Sequence, residues 1–260
     1  METDDVLTLL QEVAEEVINP RFRVLGDEEI DEKNPGDLVT VADREAELQL
    51  AKALGAAYPD ALVLGEEATS ADPTLLERYR HAEHAFTVDP VDGTKNFVAG
   101  SPDHAVMVAE IHHGEVVRSW IWQPQHRRGY VAERGAGAWC DGRRLVREPL
   151  DEELRGVTSR REWIGRALGA MKQLDLTWVC CGVDYPKLVE GAADYALYWR
   201  TLPWDHAPGS LLLSEAGGVV GGFDGTLYRP QHDAHHGLIA AADRATYDLT
   251  QGLVHALPGL

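Results

Sequence analysis

Asp89-Pro90-Val91-Asp92-Gly93-Thr94-Lys95-Asn96-Phe97-Val98-Ala99-Gly100 is the stretch on which fold and chemistry both turn. Ala85-Phe86-Thr87-Val88, just before it, is an apolar and β-branched run that reads as a buried strand. Asp89 then stands at the strand's carboxyl end, where open α/β sheets place their ligands. Pro90 fixes φ and turns the chain, so that Asp92 returns toward the same point. Two carboxylates at one strand end repel unless a cation lies between them, and oxygen ligands of this kind suit Mg²⁺. Gly93 permits close backbone approach, and Thr94 can open a short helix whose free N–H groups attract an anion. Metal on one side and anion on the other describe a phosphate site. From spacing alone, an acidic turn capping a helix is an equal reading.

A chain of 260 residues with 44% hydrophobic composition can bury a sizeable core. We expect one domain over 1–260, with halves of about 1–150 and 151–260. The formal charge of −19 argues against nucleic acid as a partner, because phosphate backbones require basic surfaces. That charge also repels a phosphorylated metabolite, so an anionic substrate needs locally concentrated cations, which bound metal ions would provide. Cys140, Cys180 and Cys181 make neither a disulfide framework nor a zinc spacing. No apolar run is long enough for a signal peptide or a membrane span, so the expectation is a cytoplasmic protein with no membrane partner.

Outward from the central stretch, Val6, Leu9, Leu10, Val13 and Val17 recur at helical spacing from about Asp4 to Ile18, and Asn19-Pro20 is a stop. Asn34-Pro35-Gly36 reads as a turn, and Asp43 begins a helix carrying Ala46, Leu50 and Leu54 on one face. Ala61–Leu64 is a strand ended by Gly65-Glu66-Glu67, and Asp72–Arg80 a short helix. His104–Ile111, Val116–Gln123 and Gly129–Glu133 form a meander whose first hairpin turns at His112-His113-Gly114. From Asp151 to Gln173 the chain is polar and weakly periodic, a seam between halves. Leu176–Gly182 then reads as a buried strand, Leu238–Ala241 as the final strand and Tyr247–Leu257 as a closing helix. Asp205 is placed to cap a helix, with Pro208 in its tolerated first turn. His232, His235 and His236 are read as part of a polar loop rather than a metal site.

Asp89-Pro-Val-Asp-Gly-Thr-Lys-Asn-Phe97 closely resembles the first metal-binding motif of the inositol monophosphatase family, within the fructose-1,6-bisphosphatase-like superfamily. Those proteins are Mg²⁺-dependent, lithium-sensitive phosphomonoesterases. Three further segments resemble family motifs in the right order: Lys33 to Asp43, Gly65-Glu66-Glu67, and Trp204-Asp205-His206-Ala207-Pro208-Gly209 with Glu215-Ala-Gly-Gly218. The resemblance implies an α+β fold, a layered αβαβα sandwich, and a homodimer. It makes Glu66, Asp89, Asp92, Asp205 and the Val91 carbonyl the ligands of two or three Mg²⁺ ions. Asp37 and Thr94 would orient and help deprotonate the attacking water, with Glu66 beside them in the catalytic set and Asp43 structural. Gly93, Thr94 and Lys95 would meet the phosphate, and Asp184, Tyr198 and Arg200 the rest of the substrate.

Two departures bear on the substrate. Gly182-Val183-Asp184-Tyr185 stands where relatives commonly have Gly-Ser/Thr-Ala-Ala, and Tyr198 stands where an acidic residue commonly holds the inositol ring. The expected activity is therefore hydrolysis of a small polyol or sugar phosphate, inositol monophosphatase-like. A bisphosphate phosphatase (fructose 1,6-bisphosphate or 3′-phosphoadenosine 5′-phosphate), a histidinol-phosphatase and a non-catalytic metal-binding regulatory protein are the alternatives.

Overall fold

The computed structural model describes residues 1–147, 153–232 and 237–260. Helix α1 (Thr3–Val13) starts at a capping box formed by Glu2 and Asp5, then widens into a π turn over Ala14–Ile18 and a 3₁₀ turn over Asn19–Arg21. Strands β1 (Ile30–Asn34) and β2 (Asp37–Thr40) form an antiparallel ribbon leading into α2 (Val41–Ala57). Thr40 caps α2, and Asp43 answers from the third helical position. Next come β3 (Leu62–Gly65), α3 (Glu66–Ala71), α4 (Thr74–Arg80), β4 (His84–Asp92) and α5 (Thr94–Val98). The meander follows as β5 (Ala105–His112), β6 (Glu115–Gln123), β7 (Arg128–Glu133), β8 (Gly137–Cys140) and β9 (Arg143–Leu145). His113 and Gly114 both take positive φ, 49° and 79°, as a two-residue hairpin with right-handed strand twist requires. The remainder comprises β10 (Gly156–Thr158), β11 (Asp175–Leu176), α6 (Cys181–Val189), β12 (Tyr195–Tyr198), α7 (Pro203–Glu215), β13 (Val219–Gly222), β14 (Leu238–Ala241) and α8 (Arg244–Val254).

Strands β3 to β9 lie in sequence order in one seven-stranded sheet; a five-stranded sheet runs β11-β10-β12-β14-β13. The period of two along each strand decides the layering. Phe86, Val88, Val106 and Val108 point to one face of the large sheet, against Val6, Leu10, Ala46, Leu50 and Leu54 of α1 and α2. Ala85, Met107, Ala109 and Ile111 point to the other, where Tyr185 and Leu188 of α6 and Leu211–Leu213 of α7 cover them. The same helices meet Ala196, Tyr198, Leu238 and Ala240 of the small sheet. Its outer face, with Tyr195, Leu197, Ile239 and Ala241, is closed by Tyr247 and Val254 of α8. The order is helix, sheet, helix, sheet, helix: the α+β layered sandwich expected. Each fully buried Phe, Leu or Val contributes roughly 1.5–3 kcal/mol.

Two local readings are corrected. Leu176–Gly182 is not a strand: β11 ends at Leu176, Val179 turns with φ 58°, and α6 starts at Cys181. Within that run Cys180 is buried while Leu176 and Trp178 are half-buried and Val179 is exposed, an irregular pattern of a loop and a first helical turn that apolar composition alone does not separate from a strand. Asp205 does not cap α7, because the cap is Leu202; Asp205 is the third helical residue and Pro208 lies inside the helix. In the polar segment 151–173, Trp163, Leu168 and Met171 reach the outer core. Its first residues, and His235 and His236, lie outside the described residues. Among the described residues no helix is long and apolar enough to cross a membrane.

Two buried histidines bear on stability. His104 is wedged between Phe22 and Phe97, with Nδ1 3.2 Å from the Ser101 carbonyl oxygen. His206 sits between the Tyr185 hydroxyl, 3.1 Å from Nδ1, and the Arg200 carbonyl, 2.9 Å from Nε2. Burial pushes both imidazoles down to about 4. A histidine held neutral in the fold binds a proton first in the unfolded chain. Stability is therefore intact above about pH 6.5 and is lost as pH falls toward 4, by up to ~3 kcal/mol per residue. Urea unfolding of wild type and His104→Phe should show their stability difference shifting against the wild type between pH 7 and pH 4.5. A difference independent of pH would contradict it.

Candidate active site

β4 brings the first carboxylates together by an irregularity in its pairing. Asp89 is opposite Met107 and Asp92 opposite Ala105, so three steps along β4 match two along β5. The surplus residue is accommodated at Pro90-Val91, a bulge of the kind that re-aims side chains. Gly93 follows at φ 81°, where an added Cβ would meet the Cys180 Cβ at 3.0 Å and the Asp103 carbonyl oxygen at 3.1 Å. Only glycine takes this turn into α5 without strain.

The third carboxylate comes from the parallel neighbour β3, whose end at Gly65 lies opposite Val88. Glu66 starts α3 there and is 2.6 Å from Lys33 Nζ, which also holds Glu67 at 2.9 Å. Burial disfavours the Lys33 charge, but the two glutamates outweigh it and raise its pKa. Glu47, not singled out from the sequence, accepts from the Glu67 and Ala68 amides at 2.6 and 2.7 Å and so binds the start of α3. A side chain at Gly65 would collide with its carboxylate. Asp205 arrives from the first turn of α7.

Asp89 is buried, and its Oδ1 has no hydrogen-bond partner. Asp92 Oδ2 accepts from the Cys180 thiol at 2.9 Å and from the Gly182 amide, and the Gly93 amide also bonds its carboxylate. Burial raises Asp89 well above the usual carboxylate range, and Glu66, Asp92 and Asp205 raise it further. Asp205 is raised by burial, then by Glu66 and Asp92, with Arg200 and Lys33 opposing. Burial lifts Asp92 to about 6 against the Cys180 and Gly182 bonds. Glu66 raises Asp89, Asp92 and Asp205, Asp92 raises Asp89 and Asp205, and Asp89 keeps an orphaned buried oxygen, so the cluster calls for more positive charge than Lys33 and Arg200 bring. The donors are all oxygen, which fits a hard divalent cation such as Mg²⁺.

Thr94 distinguishes the two candidate aspartates upstream. Its hydroxyl lies 3.1 Å from Asp43 Oδ1 and 3.1 Å from the Val91 carbonyl oxygen. Asp43 is buried, and its Oδ2 accepts from the Thr40 amide and hydroxyl at 2.8 and 2.6 Å. Burial raises it to about 7, opposed by the Thr40 bonds. Asp37 instead starts β2 and lines the cavity wall with Leu38. The expected pairing of Asp37 with Thr94 is therefore corrected: the Thr94 hydroxyl meets Asp43, which also answers the cap of α2. The capping-box spacing hid this, because it explains an aspartate at that position without further work.

A cavity of about 340 Å³ opens on these groups. Asp92, Gly93, Thr94, Lys95, Asp205, Asp184, Tyr198 and Arg200 are among its lining residues. Asp184 accepts from the Trp178 amide at 2.8 Å and the Tyr198 hydroxyl at 3.3 Å. Asn96 ties α5 to this wall through the Asp103 and Trp178 carbonyls, at 2.8 and 2.9 Å. Val179 lines the cavity in a left-handed conformation that costs a β-branched residue of order 1–3 kcal/mol. Arg161, also in the wall, was not singled out from the sequence, because an arginine in a polar stretch carries no positional signal.

A sequence profile of the inositol monophosphatase family matches residues 2–258. The chain belongs to this family. It is 31% identical over 222 residues to the Nus factor SuhB of Pseudomonas aeruginosa, covering 76% of each chain. It is 30% identical over 202 residues to a fructose-1,6-bisphosphatase/inositol-1-monophosphatase of Thermotoga maritima, covering 75% of each. A solved IMPase/NADP phosphatase complexed with Mg²⁺ and phosphate superposes with a TM-score of 0.80 at 22% identity, covering 98% of this chain and 96% of that one. The inositol monophosphatase fold accounts for the two sheets and the helical layers between and around them. It is a fold of phosphatases.

Proposed function

We propose that this chain is a Mg²⁺-dependent phosphomonoesterase that hydrolyses a small polyol or sugar monophosphate, inositol monophosphatase-like, by attack of water. The observation that carries the reading is the electrostatic clustering of Glu66, Asp89, Asp92 and Asp205 beside the cavity, where Asp92 and Asp205 line the wall and Asp89 Oδ1 is buried and unpartnered. Those four carboxylates and the Val91 carbonyl would hold the ions, two or three as the family resemblance implies. Bound there, divalent cations supply the positive charge that acidifies water and stabilises a leaving alkoxide. The protein's own part is proton handling and positioning. With the Thr94 hydroxyl proton directed at Asp43 Oδ1, the Thr94 oxygen accepts from a water, and Asp43 is the terminal base. Gly93, Thr94 and Lys95 border the place of the phosphoryl group. A cytoplasmic homodimer, inhibited by lithium, belongs to the same reading on the strength of the family resemblance.

A second reading is favoured by three cations in the cavity wall. Lys95, Arg161 and Arg200 face an ester whose far end is anionic, as in a sugar bisphosphate or a nucleotide, better than a cationic amino alcohol such as histidinol phosphate. Arg200→Ala should then raise KM about tenfold for bisphosphates, the scale of one charge-assisted hydrogen bond, and leave KM for neutral polyol monophosphates unchanged. Equal KM for every ester would make Arg200 a structural residue. The reading as a whole is tested by phosphate release from inositol, sugar, nucleotide and amino-alcohol phosphates at saturating Mg²⁺. No release from any of them would favour a regulatory role, for which relatives named Nus factor SuhB supply the precedent.

A further inference from the structure

β4 carries the carboxylate cluster at its carboxyl end and a different set of donors at its start. His84 opens the strand, and its register partner is His112 at the end of β5, with Phe86 opposite Glu110. By the period of two, His84, Glu110 and His112 share the sheet face covered by α1 and α2. His84 Nε2 is 2.9 Å and His112 Nε2 3.2 Å from the same oxygen, Glu110 Oε1. The other oxygen, Oε2, is held by Arg118 Nε, and Arg118 Nη2 donates to the Tyr58 hydroxyl at 3.0 Å. Glu110 is buried at 4% side-chain exposure, whereas His84 and His112 are 21% and 42% exposed, so the set opens to solvent on its histidine side.

We propose that His84, Glu110 and His112 form a binding site for a borderline transition-metal dication such as Zn²⁺, separate from the carboxylate cluster. Two imidazoles and one carboxylate are a donor set that suits Zn²⁺ and not Mg²⁺. In a tetrahedral shell with bonds near 2.0–2.1 Å, donor atoms stand roughly 3.3 Å apart. The three donor atoms here all lie within 4.8 Å of one another, with the two carboxylate contacts already at 2.9 and 3.2 Å. Arg118 keeps the carboxylate ionised and oriented, as outer-shell partners of metal ligands do. Each ring offers Nε2 to a metal once its proton is carried on Nδ1. The rings stack at 3.9 Å and 18°, and metal binding tilts His112, the more exposed of the two, out of that stack. The fourth position is left to water. Such an ion would cross-link the start of β4 to the end of β5 at the opposite end of the sheet from catalysis.

The test is Zn²⁺ titration calorimetry of the full chain in saturating Mg²⁺, which keeps the all-oxygen cluster occupied. Wild type should bind one Zn²⁺ and gain thermal stability with it. His84→Ala and His112→Ala should each bind it roughly 10²-fold more weakly and show no Zn²⁺-dependent rise in Tm. Both should keep Mg²⁺-dependent phosphate release, and Asp92→Asn should keep the Zn²⁺ equivalent. Glu110 is the wrong residue to replace, because its loss strands Arg118. His112, at the exposed edge, is the variant least able to disturb the fold. Equal Zn²⁺ affinity in wild type and both histidine variants, or loss of the equivalent in Asp92→Asn, would overturn the proposal.

Discussion

Asp43→Asn is expected to lower kcat by roughly 10²–10⁴, the scale of general-base assistance, with KM and Mg²⁺ affinity little changed. The geometry behind this is the 3.1 Å contact between Asp43 Oδ1 and the Thr94 hydroxyl, with Oδ2 fixed by Thr40. An amide is close in size and still offers one oxygen to Thr40, so the cap of α2 loses at most ~1 kcal/mol. What it loses is basicity. Thr94→Ala should resemble it, and the double variant should be little worse than either, since the two residues pass one proton between them. Asp37→Asn, on the cavity wall, should change kcat by less than about tenfold. Steady-state kinetics on the four variants, with Tm as a control for folding, would decide the point. Multiplicative losses in the double variant, or an Asp37→Asn defect equal to that of Asp43→Asn, would remove Asp43 from the relay.

Asp89→Asn is expected to abolish turnover and yet to stabilise the metal-free protein. Burial and the neighbouring Glu66, Asp92 and Asp205 raise the Asp89 pKa well above that of an unfolded aspartate. A carboxyl group raised in the fold contributes stability that is fully present below its unfolded pKa of about 3.9. That contribution is lost as pH rises through the folded value. Asp92, lifted to about 6, loses its own contribution between about pH 4 and pH 6, and Asp89, raised well above its ordinary value, likewise loses its contribution as pH rises. In EDTA at pH 8, Asp89→Asn should therefore melt above wild type. At pH 5 the gap should narrow. Mg²⁺ should raise the wild-type Tm at pH 8 and do little for the variant. A variant less stable than wild type in EDTA at pH 8 would mean that the carboxylates are not held in mutual repulsion.

Much of this was legible in residues 85–100. The strand follows from its apolar, β-branched run and Gly93 from a close left-handed turn that only glycine enters without strain, whereas Pro90 sits in a bulge inside β4 and not in a turn that ends it; the layers follow from strands whose two faces are both apolar. Legibility failed where one residue serves two purposes. Asp43 caps a helix with Oδ2 and holds Thr94 with Oδ1, and only the first use has a local signature. Glu47 binds the start of α3 twenty residues downstream, a contact made by the fold and by no nearby pattern. Val179-Cys180-Cys181 looked like a strand because it is apolar. Only Cys180 is buried there, where its thiol and the Gly182 amide serve Asp92.

The central claim is that the carboxylate cluster is built around divalent cations that make it a phosphomonoesterase. The most direct measurement is phosphate release from myo-inositol 1-phosphate and a panel of sugar monophosphates, with Mg²⁺ varied from EDTA-chelated to saturating. The account predicts no turnover in EDTA, recovery that saturates with Mg²⁺, and none at any Mg²⁺ concentration for Asp89→Asn. Undiminished turnover by the chelated protein, or Mg²⁺-dependent turnover by Asp89→Asn at the wild-type rate, would contradict it.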